Sequence, residues 1–400
     1  MKTVAIISEY NPFHTGHKYQ IEKIRQDFQE EVTVIAIMSG NFVQRGDVAI
    51  CDKLTRAKMA VDCGADLVLE LPFPYSCAPA DIFAKSAVYI ASSLGIVDYL
   101  SFGSESGSIT ELTEAADIME SGEYSESLKK HAKGNIGYAK ACQAAYESLS
   151  GSSRLSFTPN NILAIEYIKA IKALKSSIIP HTIKRVGSDY SENCIDKSRD
   201  FQSAGAIRDQ LLKNVDVALQ YIPKESQNTL LDAINCGKLP CNAEKIASAI
   251  LSHYRINRQS PSCDIYDGGS GLYNRLTSAS FEAQSINSLI SLTETKKYTN
   301  ARIRRAMWAG FLGVTSSDLR SLPLYTQVLA MNTVGMNELR RIGEDCPVRI
   351  LTKPSDYKHF GEDLVRQKEL SDRADSIFEL TKPNPGDGRS ALRLTPYVKK

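Results

Sequence analysis

The chain has 400 residues, of which 42% are hydrophobic and 24% charged, with a formal net charge of +2. That composition excludes a disordered chain, a collagen and a coiled-coil rod, and the length suggests two or three domains. The longest apolar runs fall short of a membrane span, and the apolar N-terminal stretch meets Glu9 too early for a signal peptide. No membrane association is expected. Nine cysteines without a Cys-x-x-Cys pair argue against a disulfide framework or a structural zinc site. They read as reduced thiols of a cytoplasmic protein.

The first strand is expected at Val4–Ser8, followed by a helix over Gly16–Phe28. Further apolar runs at Val32–Met38, Asp66–Leu71, Val97–Phe102 and Ile178–Val186 read as strands. Between them lie helical patterns at Asp52–Cys63, Ala80–Leu94, Thr110–Glu120, Tyr138–Ser148 and Asn160–Leu174. Alternating helices and continuously apolar strands predict an α/β fold, a Rossmann-like parallel sheet covered on both faces.

From about Asp216 the rhythm changes to helices joined by polar loops. Gln259–Gly271 looks disordered, Val348–Leu351 is one late β-type run, and the tail from Thr381 looks loose. The expected division is an α/β domain over 1–214 and a mainly helical domain over 215–400. The net charge splits along the same line. Residues 1–214 carry 23 basic and 26 acidic side chains, whereas 215–400 carry 25 and 20. The densest basic segment holds Lys296, Lys297, Arg302, Arg304 and Arg305, with no acidic residue among them.

The strongest local signal follows the first strand: Glu9, Tyr10, Asn11, Pro12, Phe13, His14, Thr15, Gly16, His17. A chain with 6 His and 24 Gly would show a His-x-Gly-His by chance only about 0.005 times. The motif lies where a parallel strand hands over to a helix, and such strand ends are where ligands bind. A helix start there offers amide N–H groups and a positive dipole end to an anion. Two imidazoles three residues apart can donate to charge building on a phosphoryl group as pyrophosphate leaves. A histidine pair for zinc and plain helix capping are the competing readings.

A second turn, Phe201 to Arg208, opens a helix with Ser203 and a forked cation, Arg208, suited to phosphate oxygens. With His14 and His17 in one α/β domain, it makes an ATP site with two phosphate clamps.

An early His-x-Gly-His with a late Ser-x-x-x-Ile-Arg resembles the nucleotidyltransferase α/β-phosphodiesterase superfamily. Further stretches resemble one family within it, the bacterial tRNA(Met) cytidine acetate ligases. They are Met38–Gly46, Leu69–Pro72, Phe102–Glu105 and Thr158–Leu163, besides Glu9–His14. Thr15, where that family usually has Asn, and Gly205, where it favours another small residue, depart from the pattern.

The resemblance implies a Rossmann-like nucleotidyltransferase domain followed by a mainly helical tRNA-binding domain. It also implies a two-step reaction. Acetate attacks the α-phosphate of ATP, giving acetyl-adenylate and pyrophosphate. The acetyl group then passes to N4 of the wobble cytidine of elongator tRNA(Met), giving N4-acetylcytidine. Carried over by motif, ATP binding falls to Ile7, Ser8, Glu9, Tyr10, Asn11, Pro12, Phe13, His14, Thr15, Gly16, His17, Lys18, Tyr19 and Gln20. Gly103, Asn160, Asn161, Lys184 and Arg185 join them, with Ser203, and the catalytic roles fall to His14, His17 and Arg208.

Acetate, a small anion, is expected in the Ser39–Gly46 loop, with Ser39, Gly40 and Arg45 as candidates and Lys53 and Arg56 as nearby cations. The tRNA is expected on Lys296, Lys297, Arg302, Arg304 and Arg305, because RNA phosphates call for cations with few acids among them. ATP is a substrate here. Mg²⁺ is compatible with such chemistry, although no carboxylate cluster implies it, and no resident metal is expected. The alternative from another substrate class is an adenylyltransferase for a small cofactor precursor. A nucleotide-sensing or RNA-binding protein without turnover is the third reading.

Overall fold

The computed structural model describes residues 1–132, 138–151, 155–185, 201–257, 264–269 and 271–400. Its strands are β1 (Lys2–Ser8), β2 (Val32–Ser39), β3 (Leu67–Leu71), β4 (Tyr99–Ser104), β5 (Ile179–Lys184), β6 (Tyr325–Met331), β7 (Arg349–Leu351) and β8 (Tyr397–Val398). They form one sheet in the order β5-β4-β1-β2-β3-β6-β7, with β8 also paired to β6. The first five strands are parallel to one another. β6 runs antiparallel to β3, and β7 and β8 run parallel to β6.

All eight residues of β2 are buried, so its alternate side chains feed two cores. Ile35 and Ile37 point into one, with helices Ala80–Ser93 and Pro159–Ala173. Val34, Ala36 and Met38 point into the other, with helices Thr15–Asp27, Lys53–Asp62 and Ala204–Lys213. The five expected strands and six expected helices of the first half are present, with ends within a few residues of the expected ones where described. Val186 lies outside the described residues. A helix at Gly122–Ala132 was not expected.

The second half contains more helices, among them Lys224–Asn235, Asn300–Leu312 and Glu362–Glu379. It also supplies β6, β7 and β8 to the shared sheet, of which only β7 was foreseen. β6 reads Tyr-Thr-Gln-Val-Leu-Ala-Met and is buried over its first six residues. The tail expected to be loose is anchored instead. Thr381 is buried, Lys382 pairs with Glu379 at 2.7 Å, and Tyr397 and Val398 pair with Ala330 and Met331. The described part of Gln259–Gly271 is tied down too, through a bridge between Ile265 and Thr315. Residues 259–263 and 270 lie outside the described residues. Among those described, no helix is long and apolar enough to cross a membrane.

Candidate active site

In the order β5-β4-β1-β2-β3, the connection after β1 runs to β2 on one side and the connection after β4 runs to β5 on the other, so a crevice opens where β1 and β4 end. Glu9 to His17 follow β1 directly, and His14 is the N-cap of helix Thr15–Asp27. The two histidines form a reciprocal cap. His14 Nδ1 accepts from the Gly16 N–H at 3.1 Å, and His17 Nδ1 accepts from the His14 N–H at 3.2 Å. Their rings stack at 3.7 Å, while Tyr10 meets the His17 ring edge-on at 4.9 Å.

Capping therefore uses one nitrogen of each ring and leaves the other to the space beside it. Burial holds both rings neutral, with nearby cations adding to the effect. His14 is lowered to about 3, by burial and then by Arg185 and Arg208. His17 is lowered well below its ordinary value by burial, His14 and Arg185. A neutral imidazole whose Nδ1 accepts a hydrogen bond carries its proton on Nε2. Neither Nε2 has a protein partner among the described residues, so each ring keeps one N–H donor for a ligand.

The helix amides themselves are occupied, which corrects the expectation that they would meet the anion. Thr15 N–H donates to Tyr221 O at 2.9 Å, Gly16 N–H to His14 and His17 N–H to His14 O. Gly16 serves the His14 ring, since a Cβ there would lie 3.0 Å from His14 Cε1. What faces the site is the dipole of the helix and two imidazole donors.

Beside the rings lies a pocket of about 560 Å³ open to solvent, lined by His14, Gly16, His17, Tyr19, Gln20 and Gly103. Ile183, Lys184, Arg185, Phe201 and Gln202 complete the lining. Arg185 is exposed and lies 3.9 Å from Glu105, and a Cβ at Gly103 would press on its side chain at 3.2 Å. Arg208 Nη1 donates to Asn11 O at 2.8 Å, and Ser203 caps its own helix by accepting from Ala206 N–H. The two clamps inferred from sequence thus stand on neighbouring helix starts.

Other expected residues act at a remove. Lys18 turns to Glu225 at 2.6 Å. Asn160 donates to Glu105 at 2.6 Å, and Asn161 Oδ1 accepts from the Glu105 and Ser106 amides. Both therefore hold the turn after β4 against helix Pro159–Ala173. Asn11 Oδ1 accepts from Ile50 N–H at 2.7 Å. Thr15 Oγ1 is buried without a partner among the described residues, and the Phe13 ring lies 5.5 Å from the His17 ring.

The Ser39–Gly46 loop sits against Glu9, whose Oε1 accepts from Gln44 N–H at 3.0 Å. Two of its expected cations are committed elsewhere. Arg56, fully buried, donates to the carbonyls of Glu9, Ser39, Gly40 and Cys51. Lys53 is buried between Glu70 at 2.7 Å and Asp375 at 2.6 Å. Burial opposes its charge, yet those two carboxylates outweigh it and push its pKa up. Gly40 is packed against Glu70. Arg45 is exposed, and Ser39 Oγ is buried with no partner.

The basic segment also differs from its expected form. Arg302 and Arg305 both bind Asp267, at 3.0 and 3.1 Å, and Arg304 binds Asp47 at 2.6 Å. Trp308 Nε1–H donates to Gly46 O at 2.8 Å. All three arginines are matched by carboxylates outside the segment, and it is Arg304 and Trp308 that hold the end of the Ser39–Gly46 loop. Lys296 and Lys297 are exposed. Among the described residues, no group of three or more His, Cys, Asp or Glu stands together as a metal site.

One consequence concerns pH. An unfolded histidine takes a proton near 6.5, whereas folded His14 resists until about 3. The unfolded chain thus binds more protons between those values, so this ring's contribution to stability is present above pH 6.5 and lost as pH falls. In an NMR titration of the ATP-free protein, the His14 ring should remain neutral down to pH 5. A midpoint near 6.5 would contradict the burial described.

The chain is similar over its whole length to known nucleotidyl transferases. Residues 1–390 match the family model described as HIGH Nucleotidyl Transferase. A Thermoanaerobacter protein named tRNA(Met) cytidine acetate ligase is 38% identical over 366 residues, covering 90% of each chain. One of the same name from Acetivibrio thermocellus is 34% identical over 415 residues, covering 100% of this chain and 99% of the relative. Among solved structures, apo Thermotoga maritima TmcAL superposes with a TM-score of 0.92 at 28% identity, over 100% of both chains. The same protein bound with alpha-thio ATP gives 0.89 at 28% identity, again over 100% of both. With the histidine pair, the sheet order and this whole-length similarity in place, the chain belongs to the tRNA(Met) cytidine acetate ligase family of HIGH nucleotidyl transferases.

Proposed function

We propose that the protein activates acetate with ATP and transfers the acetyl group to N4 of the wobble cytidine of elongator tRNA(Met). One observation carries the reading. His14 and His17 are neutral, fixed through Nδ1, and lend two Nε2–H donors to a pocket at the β1/β4 crevice. Donors held in place cost no reorganisation when charge develops on the leaving pyrophosphate, which is how such sites accelerate phosphoryl chemistry. The relatives' name supplies the substrate pair, and the TmcAL complex with alpha-thio ATP supports the nucleotide.

In the first step a carboxylate oxygen of acetate attacks the α-phosphorus, and the bond to the β-phosphate oxygen breaks. Lys184, Arg185 and Arg208 add positive charge around the rings. Arg45, which is exposed, and the Ser39 hydroxyl, which has no hydrogen-bond partner among the described residues, are the acetate contacts we assign. Lys53, Arg56 and Gly40 serve this loop as its frame. In the second step N4 of cytidine attacks the acetyl carbonyl carbon and AMP leaves. An anticodon loop offers that base outside a helical stack.

The division of labour we assign keeps ATP and acetate on 1–214 and RNA on 215–400, although the two share one sheet. Lys296 and Lys297 are the phosphate contacts of the basic segment. Arg304 acts there as the clamp on the end of the Ser39–Gly46 loop, while Arg302 and Arg305 tie the helix to Asp267.

Exchange of labelled pyrophosphate into ATP tests the first step. It should depend on acetate and occur without tRNA. Exchange that requires a phosphorylated cofactor precursor and ignores acetate would favour the small-metabolite adenylyltransferase.

A further inference from the structure

We propose that Glu9 takes the proton released from the cytidine N4 amino group as the acetyl group leaves the adenylate. The inference rests on the two-step reading above and assigns its second step a group. It starts from the proton balance. Attack of acetate on the α-phosphate forms an O–P bond and expels pyrophosphate, with no proton released. Attack of N4 on the acetyl carbon forms the C–N bond, and the electron pair of the broken C–O bond leaves with AMP. The nitrogen then sheds one proton, which needs an acceptor.

Among the described residues, one carboxylate follows each strand that borders the crevice, Glu9 after β1 and Glu105 after β4. Glu105 is saturated. It accepts from Thr158 Oγ1 at 2.6 Å, from Asn160 Nδ2 at 2.6 Å and from the Asn161 amide at 3.0 Å, with Arg185 beside it. Glu9 is half used. Oε1 accepts from Gln44 N–H, while Oε2 accepts no hydrogen bond among the described residues. Arg208 lies within electrostatic reach of both Glu9 and His14, and Glu9 opens the segment that leads from β1 to the histidine pair.

A negative charge there opposes the entry of two anions, acetate and ATP, so the free Oε2 does not help the first step. A proton is released only in the second. Burial raises the Glu9 pKa, with Arg208, the Gln44 amide, Arg45 and Arg56 pulling it back, and a base is most useful when its pKa approaches the working pH. The placement also faces the RNA half. Gln44 belongs to the loop whose Gly46 takes the Trp308 hydrogen bond and packs on Arg304, 2.6 Å from a Cβ built there. The helix Asn300–Leu312 therefore fixes the loop that fixes Glu9.

The test uses the full chain and two half-reactions. Acetate-dependent pyrophosphate exchange reads the first, and transfer from synthetic acetyl-adenylate to elongator tRNA(Met) reads the second. Wild-type protein comes first, and its failure to acetylate the tRNA would end the two-step reading itself. Given that activity, Glu9→Gln should lower transfer about 100-fold more than it lowers exchange. Glu9→Asp, which keeps the carboxylate, should recover part of the loss. A thermal midpoint near wild type identifies the variants as folded. Transfer that falls less than tenfold further than exchange in Glu9→Gln, or no recovery in Glu9→Asp, would overturn the proposal.

Discussion

His14→Asn should lower acetate-dependent pyrophosphate exchange by about 10²–10³-fold while leaving the fold intact. Asparagine is among the best N-cap residues, so its side-chain oxygen can take over the hydrogen bond that His14 Nδ1 accepts from Gly16 N–H. It supplies no counterpart to the Nε2–H donor in the pocket. The substitution thus separates the two uses of the ring, capping and donation. His14→Ala removes both and should add about 1 kcal/mol of destabilisation to the same kinetic loss. His17→Ala should show a comparable kinetic defect, because its Nε2–H is the second donor. Full exchange activity in folded His14→Asn would mean that the imidazole serves only as a cap.

The second large effect is on stability. Lys53→Met should destabilise the protein by about 3–5 kcal/mol, because it leaves the buried Glu70 and Asp375 carboxylates without their cation. Asn41 Nδ2 also donates to Asp375 at 2.8 Å, and Asn41 Oδ1 accepts from Lys53 N–H. The cluster therefore ties helix Glu362–Glu379 to the start of the Ser39–Gly46 loop. Denaturant unfolding measures the loss. A change below about 1 kcal/mol would place these charges in contact with water and contradict their burial.

Most of the parallel sheet was legible because its central strands, above all β2 and β3, are buried on both faces and nearly all apolar, a pattern that survives in the sequence without partners. The histidine motif was legible for a similar reason, since its residues are consecutive and their place after a strand defines their role. What escaped were pairings between distant segments. Asp47 and Arg304 are 257 residues apart, so a segment without acids from Lys296 to Arg305 looked like unmatched charge. Lys53 and Arg56 looked like anion-binding cations for the same reason, although one answers two remote carboxylates and the other four carbonyls. Removing Arg302, Arg304 and Arg305 together is accordingly expected to disturb the loop beside Glu9 as well as any RNA contact.

The added strand β6 had a usable signal, an aromatic and apolar run from Tyr325 to Met331 bounded by Pro323 and Asn332. It was obscured by Thr326 and Gln327, which the structure buries. Thr326 Oγ1 donates to Glu70 O at 2.7 Å, a partner that only the fold supplies. The tail was misjudged because Pro, Gly and basic residues suit a loose end as well as an anchored one, and β8 becomes a strand only beside β6.

The central claim joins acetate, ATP and one base of one RNA. Incubation of the protein with ATP, radiolabelled acetate and purified elongator tRNA(Met), followed by nucleoside analysis, tests it in a single measurement. Label should appear in N4-acetylcytidine at the wobble position and depend on ATP. Label that never enters cytidine, with folded protein and intact tRNA, would contradict it.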